Sequence, residues 1–564
     1  YFQADSLRFY LTQQEGDTTT NLNHLLNKLP QSEPDTTSGK PFTFTAGEIH
    51  VTNSQFKYRD FNVPRSDSGI DWSHLNLSKL NLSVIDFSLD GDTVLGDIQN
   101  LQLADWSGFE VERFAGDAHF SPKKTEVEDL VIKTPNSDLN FDLLFSYNHL
   151  AAYSDFINSV KMTGDFAPST LNFADIAYFA PTLTGWRDTI RLSGKVRGKV
   201  SNLKADDMDI RFGKSSHLLG DINMNGLPDF ENTFMMVDLK QLSTNRSDLQ
   251  TISIPPYGSD QKLQVPAEIG RMGNMQFTGN FTGFVSDFVA NGKLKTRLGI
   301  LETDIKLAQN ENEVFTYSGE LISKKFDLGR LVDAKQTVGK ISLVADVKGK
   351  EFDPEKLDAE LDGNIQEVEF MGYNYNDILL GGRFTNKMFR GNFSVNDTNL
   401  AMEFRGLISL RDTTEIRAEA RIIKAYPVRL NWMEKDSSFF VSGAVNANFK
   451  GNSIDDVLGK VVVDSVTVAE KEKMATLKQI EFSARTNASG KTLRLSSENL
   501  DAKVNGQFNF AELPDALNYM FYEVMPSAYS KPVKRPKEDE QFELTVELSE
   551  FSKFSKILVP QVTV

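Results

Sequence analysis

The chain has no cysteine among its 564 residues, and no run of it approaches the ~20 apolar residues of a membrane-spanning helix. The lack of cysteine excludes disulfides, thiol catalysis and Cys-based zinc sites. No signal peptide is visible either. We therefore expect a soluble chain or the soluble part of a longer protein.

Sequence motifs that carry chemistry are also missing. There is no Walker loop, no GxSxG and no GxGxxG. The acidic run at residues 206–209 lacks the glycine and the distal glutamate of a calcium loop, so it is interpreted as a solvent-facing strand. A glycosidase carboxylate pair stays open, because carboxylates are plentiful, but nothing singles out two of them. No histidine stands at metal-ligand spacing; the six are His24, His50, His74, His119, His149 and His217.

Positively charged residues are fewer than negatively charged ones: the chain has 61 Lys and Arg and 78 Asp and Glu, which gives a formal net charge of -17. Nucleic acids and anionic membrane surfaces are bound through clustered Lys and Arg. Charges of both signs are interspersed, with no acidic block long enough to form a disordered tail. We predict that nucleic acid is not a partner, and that the protein is not an enzyme and uses no metal or cofactor.

What the chain does contain is alternation. Short strands with an apolar residue at every second position recur from Phe42 to Leu548, and 41 phenylalanines are spread along them. In residues 138–147 (DLNFDLLFSY) every odd position is apolar or aromatic, and most even positions are polar. Because successive side chains of a strand point to opposite faces, this pattern predicts a sheet with one apolar and one polar face.

Two arrangements compete to cover the apolar face. The commoner one is a two-sheet sandwich with a dry core. Three features favour a curved sheet whose apolar trough is filled by lipid: many strands without a domain break, 41 Phe against 14 Tyr, and few helices. We therefore predict a mostly β fold. An elongated, twisted antiparallel sheet curls into an apolar groove and carries a few short capping helices.

The chain divides by composition into three parts. Residues 1–41 hold an N-terminal strand or helix and a loop, with a helix from about residue 20 that ends at Pro30. Residues 42–530 form a continuous repeating β-groove with a loop near 245–268, and residues 531–564 form a charged linker and a further strand of the groove. Short helices are predicted at 171–180 with Asn172 as N-cap, after Asp327, and at 513–524.

Several short runs, taken in their order along the chain, resemble one protein family. The resemblance is to the periplasmic part of the TamB family, the translocation and assembly module proteins, in its Bacteroidetes form. It covers nearly the whole chain, although each run alone is weakly specific. The runs are residues 134–141 (TPNSDLNF), 168–173 (PSTLNF), 192–198 (LSGKVRG), 226–229 (GLPD) and 277–284 (FTGNFTGF), and residues 450–460 (KGNSIDDVLGK) are similar to the repeat of the wider AsmA-like superfamily.

The resemblance implies a location and partners. Members of this family are anchored in the inner membrane by an N-terminal helix, span the periplasm, and meet an outer-membrane barrel of the Omp85 type through a C-terminal domain. Their repeats form a long sheet folded like a taco around an apolar groove. They are implicated in moving phospholipid to the outer membrane and in assembling outer-membrane proteins. We match no segment of this chain to the anchor or to the C-terminal domain, so barrel contact is not argued from these residues.

Alternation, and not a family motif, selects the candidate groove lining. Phospholipid acyl chains would lie on the apolar face with head groups in water, since a buried CH₂ is worth roughly 0.8 kcal/mol. A register slip of one residue would move any of these sets to the other face. The predicted lining residues are Leu139, Phe141, Leu143, Phe145, Ile305, Leu307, Phe393, Val395, Met402, Phe404, Val445, Phe449, Phe542, Leu544 and Val546.

Two other functions compete with a lipid conduit. A chaperone or scaffold for outer-membrane barrels would capture an incoming strand at an open sheet edge. A surface adhesin or carbohydrate-binding sandwich would need exposed Trp and Tyr platforms, and only 4 scattered tryptophans are present. Lipid binding predicts co-purifying phospholipid, whereas a chaperone predicts backbone-dependent capture of peptide.

Overall fold

The computed structural model describes residues 1–28, 42–310, 314–351, 355–434, 436–452, 456–487, 490–509, 512–527 and 541–549. The predicted loop that ends at residue 41, Pro30 and the charged linker at 531–540 lie outside these ranges. The chain is mostly β, with 63% strand and 9% helix, and its strands build an open, curled antiparallel sheet with few short helices. The predicted fold class is therefore confirmed.

The chain forms two compact units, an N-terminal unit (Tyr1–Arg297) and a C-terminal unit (Leu298–Val564). The strands of the N-terminal unit are β1 (Phe2–Asp5), β2 (Arg8–Gln13), β3 (Thr43–Asp60), β4 (Asn76–Asp90), β5 (Thr93–Asp105), β6 (Glu110–Phe120), β7 (Lys124–Lys133), β8 (Asp138–Ser146), β9 (Lys161–Asn172), β10 (Thr189–Lys199), β11 (Asn202–Phe212), β12 (Ser216–Asn225), β13 (Phe234–Thr244), β14 (Met275–Phe284) and β15 (Asp287–Thr296).

The strands of the C-terminal unit are β16 (Gly299–Gln309), β17 (Phe315–Asp327), β18 (Val338–Lys350), β19 (Asp358–Phe370), β20 (Tyr373–Thr385), β21 (Met388–Asn396), β22 (Leu400–Leu410), β23 (Thr414–Ala425), β24 (Phe440–Lys450), β25 (Leu458–Glu470), β26 (Lys473–Asn487), β27 (Gly490–Ser497), β28 (Leu500–Gln507) and β29 (Gln541–Leu548). The helices of the two units are α1 (Asn21–Leu26), α2 (Phe156–Ser159), α3 (Phe173–Ala177), α4 (Arg246–Leu249), α5 (Ala267–Arg271), α6 (Leu328–Leu331) and α7 (Leu513–Val524), with 3₁₀ turns at Leu150–Asp155 and Pro181–Leu183.

Sequential hairpins account for the topology of each unit. From β3 to β15, and again from β16 to β29, each strand pairs antiparallel with the next one in the chain, as β21 does with β22. β1 and β2 differ, because both lie parallel to β3, one beyond the other along its length. Hairpins need few connecting residues: Asn386 and Lys387 alone join β20 to β21, and both have positive φ, as a tight two-residue turn requires.

β-bulges interrupt the alternation inside many strands. A bulge sets two residues of one strand opposite one residue of the partner, so the facing pattern shifts by one. In β7 the bulge at Asp129 (φ 51°) turns Val127 and Leu130 to the same side, where they are 1% and 0% exposed. The same left-handed conformation, between apolar residues spaced by three, occurs at Asp207, Asp377 and Ser465.

Short helices and buried aspartates hold the loops at one end of the strands. Asn172 caps α3 by accepting from the Ala174 N–H at 2.8 Å, and Asp327 caps α6 by accepting from the Arg330 N–H at 2.9 Å. These two predicted caps are confirmed, although α3 spans only part of the predicted 171–180. In α3, Asp175 accepts hydrogen bonds from the Thr134 hydroxyl at 2.6 Å and ties the β7–β8 loop to the β9–β10 loop.

Asp248, in α4, organises the turn between β11 and β12. Its carboxylate is 2% exposed and accepts from the backbone N–H groups of Lys214 at 3.0 Å and Ser215 at 2.8 Å, and from the Ser216 hydroxyl at 2.9 Å. Burial opposes ionisation, but these hydrogen bonds outweigh it and lower the pKa of Asp248 from 3.8 to about 2. The predicted loop near 245–268 thus begins with a helix that is anchored through this carboxylate.

Candidate functional site

An unbroken apolar line crosses every strand of the C-terminal unit. Residues directly opposite one another on successive strands have neighbouring side chains on one face. Starting at Ile305 and ending at Val546, the residues so related on all fourteen strands are apolar or glycine. We call them the central line: Ile305, Gly319, Val347, Leu361, Gly382, Gly391, Gly406, Ala418, Ala447, Val461, Phe482, Leu495, Ala502 and Val546.

A second apolar line runs beside it, two residues along each strand. It includes Leu307, Phe449 and Leu544, and it carries no charged residue on any of the fourteen strands. On the other side of the central line lie Phe393, Phe404 and further apolar residues. The three lines together define the apolar face of the C-terminal unit. The second line is Leu307, Tyr317, Gly349, Ala359, Phe384, Phe389, Ile408, Ile416, Phe449, Gly459, Ala484, Leu493, Val504 and Leu544.

Charge is confined to the opposite face of these strands and sorted there by sign. One line from Asp304 to Glu547 carries eight acidic residues and one basic residue. The adjacent line from Lys306 to Thr545 carries eight basic residues and one acidic residue. The two signs pair between lines, as Lys460 Nζ does with a Glu481 carboxylate oxygen at 2.7 Å.

The N-terminal unit repeats the pattern across eleven strands, from β5 to β15. Its line likewise lacks charge, and the predicted lining residue Leu143 of β8 belongs to it. The side chains of Phe141 in β8 and Phe166 in β9 stack beside the line with ring centroids 4.5 Å apart. The line consists of Gly96, Ala118, Val127, Leu143, Gly164, Val196, Ala205, Ile222, Val237, Phe281 and Ala290.

The structure places every candidate lining residue on the apolar face of its unit. Leu139, Phe141, Leu143 and Phe145 share one face of β8, and the other eleven share the apolar face of the C-terminal unit. Thirteen of the fifteen are half-buried, Val395 is buried at 6% exposure, and Val546 is 47% exposed. A dry sandwich core would bury such residues fully, so this face remains partly open to solvent.

Phe393 and Phe404 mark the middle of the apolar face. They stand opposite each other on β21 and β22, and their rings stack with centroids 4.6 Å apart and planes inclined by 14°. Phe404 is followed across the sheet by Ala420 on β23 and then by Val445 on β24. Phe393, Phe404 and Val445 therefore adjoin the smaller residues Gly391, Gly406 and Ala447 of the central line, which leaves the line lower than its flank on these three strands.

Among the described residues, several chain segments cover the apolar face. In the C-terminal unit the β23–β24 connection brings Leu430, which is 0% exposed, into a cluster with Val395. In the N-terminal unit the β8–β9 connection sets the Phe156 ring edge-on to that of Phe145, with centroids 5.2 Å apart. Helix α7 packs near Phe542 and Leu544. Where such segments lie, a ligand reaches the face only by displacing protein.

Sequence reasoning did not find the inward residues that lie next to bulges. Leu130 is 0% exposed and packs with Phe141, and Tyr375 is 7% exposed and packs with Val395. The available signal was a pair of apolar residues three apart around an aspartate, as in Tyr375–Asp377–Ile378. A strict period of two assigns one member of such a pair to the wrong face.

Concavities on the polar face are of a different kind. One of about 560 Å³ is lined by charged side chains of β16–β20, including Arg383 and Asp358. There Arg383 donates from Nε and Nη2 to the two Asp358 carboxylate oxygens at 2.6 and 2.7 Å. This bond and the nearby charge lower the pKa of Asp358. Because charged and polar side chains line it, the concavity offers little apolar surface to an acyl chain.

Over the described ranges, no group of three or more His, Cys, Asp or Glu side chains could hold a metal ion. None of the helices described is long and apolar enough to span a membrane. Comparison of the chain with protein-family models, with curated proteins and with solved structures finds no match. The resemblance to the TamB family therefore stays a prediction from short sequence runs.

Proposed function

We propose that this protein binds phospholipid acyl chains along the apolar faces of its sheets and conducts phospholipid between the inner and outer membranes. The observation that carries this proposal is the central line. Fourteen successive strands present no charged or polar side chain along it. At ~4.8 Å between strands the line runs for about 60 Å, which is long enough for several acyl chains end to end.

The partial exposure of the face also supports lipid binding. Covering half-buried apolar side chains with hydrocarbon lowers the free energy of the complex by roughly 25 cal/mol per Å² of apolar surface removed from water. The charged residues of the same strands point to the other face, so an acyl chain on the line meets no desolvated charge. Sliding from one strand to the next exchanges apolar contacts for similar ones, so the barrier to movement along the line is low.

The location and partners of this proposal rest on the family resemblance. They comprise the periplasm, an inner-membrane anchor in the full-length protein, an Omp85-type barrel at the outer membrane, and a role in outer-membrane biogenesis. The chemistry is binding and transfer without bond making, so no catalytic residue, metal or cofactor is assigned. The resemblance also suggests that this chain acts as the central span of a longer bridge.

Photo-crosslinking in living cells tests the proposal. A crosslinkable residue replaces Phe141 or Phe404, and the matched controls Asn140 and Glu403 are their neighbours on the opposite face. We expect phospholipid adducts, identified by mass spectrometry, at Phe141 and Phe404 but not at Asn140 and Glu403. Equal adducts on both faces, or none on either, would contradict a lipid path on the apolar face.

A second candidate function is a chaperone or scaffold that holds strands of outer-membrane barrels for an Omp85-type partner. The observation that favours it is the outer edge of β29, which pairs with β28 on one side and with no other strand in the ranges that the structure describes. Such an edge can template an incoming strand through backbone hydrogen bonds. Protein adducts at Phe141 and Phe404, in place of lipid adducts, would favour this function.

A further inference from the structure

Helix α7 occupies part of the face that the proposed function assigns to lipid. The helix lies in the connection between β28 and β29, where Leu513 and Ala516 are 9% and 4% exposed. Leu513 forms one apolar cluster with Val504 and Phe508, and Leu517, Phe542 and Leu544 pack around that cluster. Val504 and Leu544 belong to the second apolar line, so α7 covers this line on its last strands. The same line passes through Ile408 and Phe449 on earlier strands.

The connection is longer than a hairpin needs. Residues 411–413 suffice to join β22 to β23, whereas residues 508–540 separate β28 from β29. A helix inside such an insertion can leave the sheet without breaking the ladder between β28 and β29, because strand pairing there runs from Leu500–Leu548 to Gln507–Gln541. Docking of α7 is therefore separable from the fold of the strands beneath it.

The segment that covers Phe145 in the N-terminal unit is held in part by directional hydrogen bonds. There Tyr147 donates its hydroxyl to the Ser121 carbonyl at 2.9 Å, and Tyr153 donates to the Thr125 hydroxyl at 2.9 Å. An acyl chain cannot replace directional hydrogen bonds of this kind. Around α7 the clustered contacts join Leu, Val and Phe side chains, and hydrocarbon can replace these with contacts of the same chemistry.

We propose that α7 is a displaceable plug, which competes with phospholipid acyl chains for the apolar face of β27–β29 and so regulates passage over these strands. The inference rests on the proposed function. Val524 and Met525 at the end of α7 are 72% and 42% exposed. The helix therefore carries apolar surface beyond what it buries in the docked position, and this surface can contact lipid when the helix leaves.

A crosslinkable residue at Leu544 of the full chain distinguishes the two occupants directly. With no lipid present, we expect adducts between position 544 and α7. Vesicles of phosphatidylethanolamine and phosphatidylglycerol should convert these into lipid adducts. The variant Leu517→Asp weakens docking and should raise lipid adducts at 544 by about tenfold, since apparent affinity scales with the open fraction. Asn518→Asp, on the exposed side of α7, should match the parent chain.

Hydrogen exchange in the unsubstituted chain provides an independent measurement that does not depend on a variant folding. Lipid loading should accelerate exchange of the α7 amides and leave those of β28 protected. A crosslinkable residue at Phe404 reports loading itself. Lipid adducts at Phe404 with α7 still protected, and with α7 adducts at 544 unchanged, would overturn the plug but keep the conduit. No lipid adduct at either position would overturn both.

Discussion

A charge placed on the apolar face should block it. Phe404 lies beside the central line, half-buried and stacked on Phe393, so Phe404→Glu puts a carboxylate where an acyl chain is proposed to run. A hydrated carboxylate there keeps about four methylenes of a bound chain in water, a loss of about 3 kcal/mol at roughly 0.8 kcal/mol each. We therefore expect phospholipid occupancy at this point to fall by about a hundredfold.

The assay measures phospholipid bound per protein and transfer of a fluorescent phospholipid between vesicles. Losing a half-buried ring and its stacking costs about 1–2 kcal/mol of folding stability, so far-UV circular dichroism should still show the native sheet.

Two control variants separate the effect of the added charge from the effects of losing the ring and of adding charge elsewhere. Phe404→Leu keeps an apolar face, and Asn392→Glu adds the same charge to an exposed site on the polar face. Both should behave like the parent chain, and undiminished lipid binding by Phe404→Glu would refute the reasoning.

Three further predictions concern the fold that supports the face. Asp248→Ala should lower the free energy of unfolding of the N-terminal unit by about 2–4 kcal/mol in urea denaturation, because it leaves the N–H groups of Lys214 and Ser215 without their acceptor. The pKa of Asp248 is lowered from 3.8 to about 2, so its stabilisation should be complete above about pH 4 and fade as the pH falls through about 2. The difference in melting temperature between the parent chain and Asp248→Asn should shrink over that window, and a constant difference would contradict it. Gly406→Val should lower the melting temperature of the C-terminal unit, because an added Cβ would meet the Arg417 carbonyl oxygen and Ala418 Cα. Gly381→Ala, where the nearest atom to an added Cβ is the flexible Asp362 carboxylate at 3.3 Å, should have the smaller effect.

Alternation predicted the apolar face because strand geometry fixes it locally. Phe393 and Val395, or Met402 and Phe404, share a face whatever their neighbours are, since side chains two apart on a strand point the same way. The same logic fails at Asp129 and Asp377, where a bulge depends on how many residues the partner strand supplies. That count is a property of two strands and is not encoded in either alone.

Local sequence patterns also could not predict which chain segments cover the apolar face. The helix at 513–524, which carries a proline near its first turn, was predicted at its observed bounds. Its position against Val504 and Leu544 is a tertiary contact, and apolar helix residues fit many apolar surfaces equally well. The same holds for Leu430, whose burial over Val395 depends on how the β23–β24 connection folds back. The buried role of Asp248 was missed because an aspartate at a turn usually faces solvent.

The sequential hairpins give this protein a unit of length. Each hairpin adds two strands, or about 10 Å, to the apolar line, and within the described residues it pairs with the hairpins on either side of it. Inserting or deleting one hairpin would therefore change the reach of the sheet by a fixed step while leaving the registers of distant strands as they are. In a protein built in this way, the number of hairpins sets the length of the sheet, so that length can be matched to the distance it has to cover.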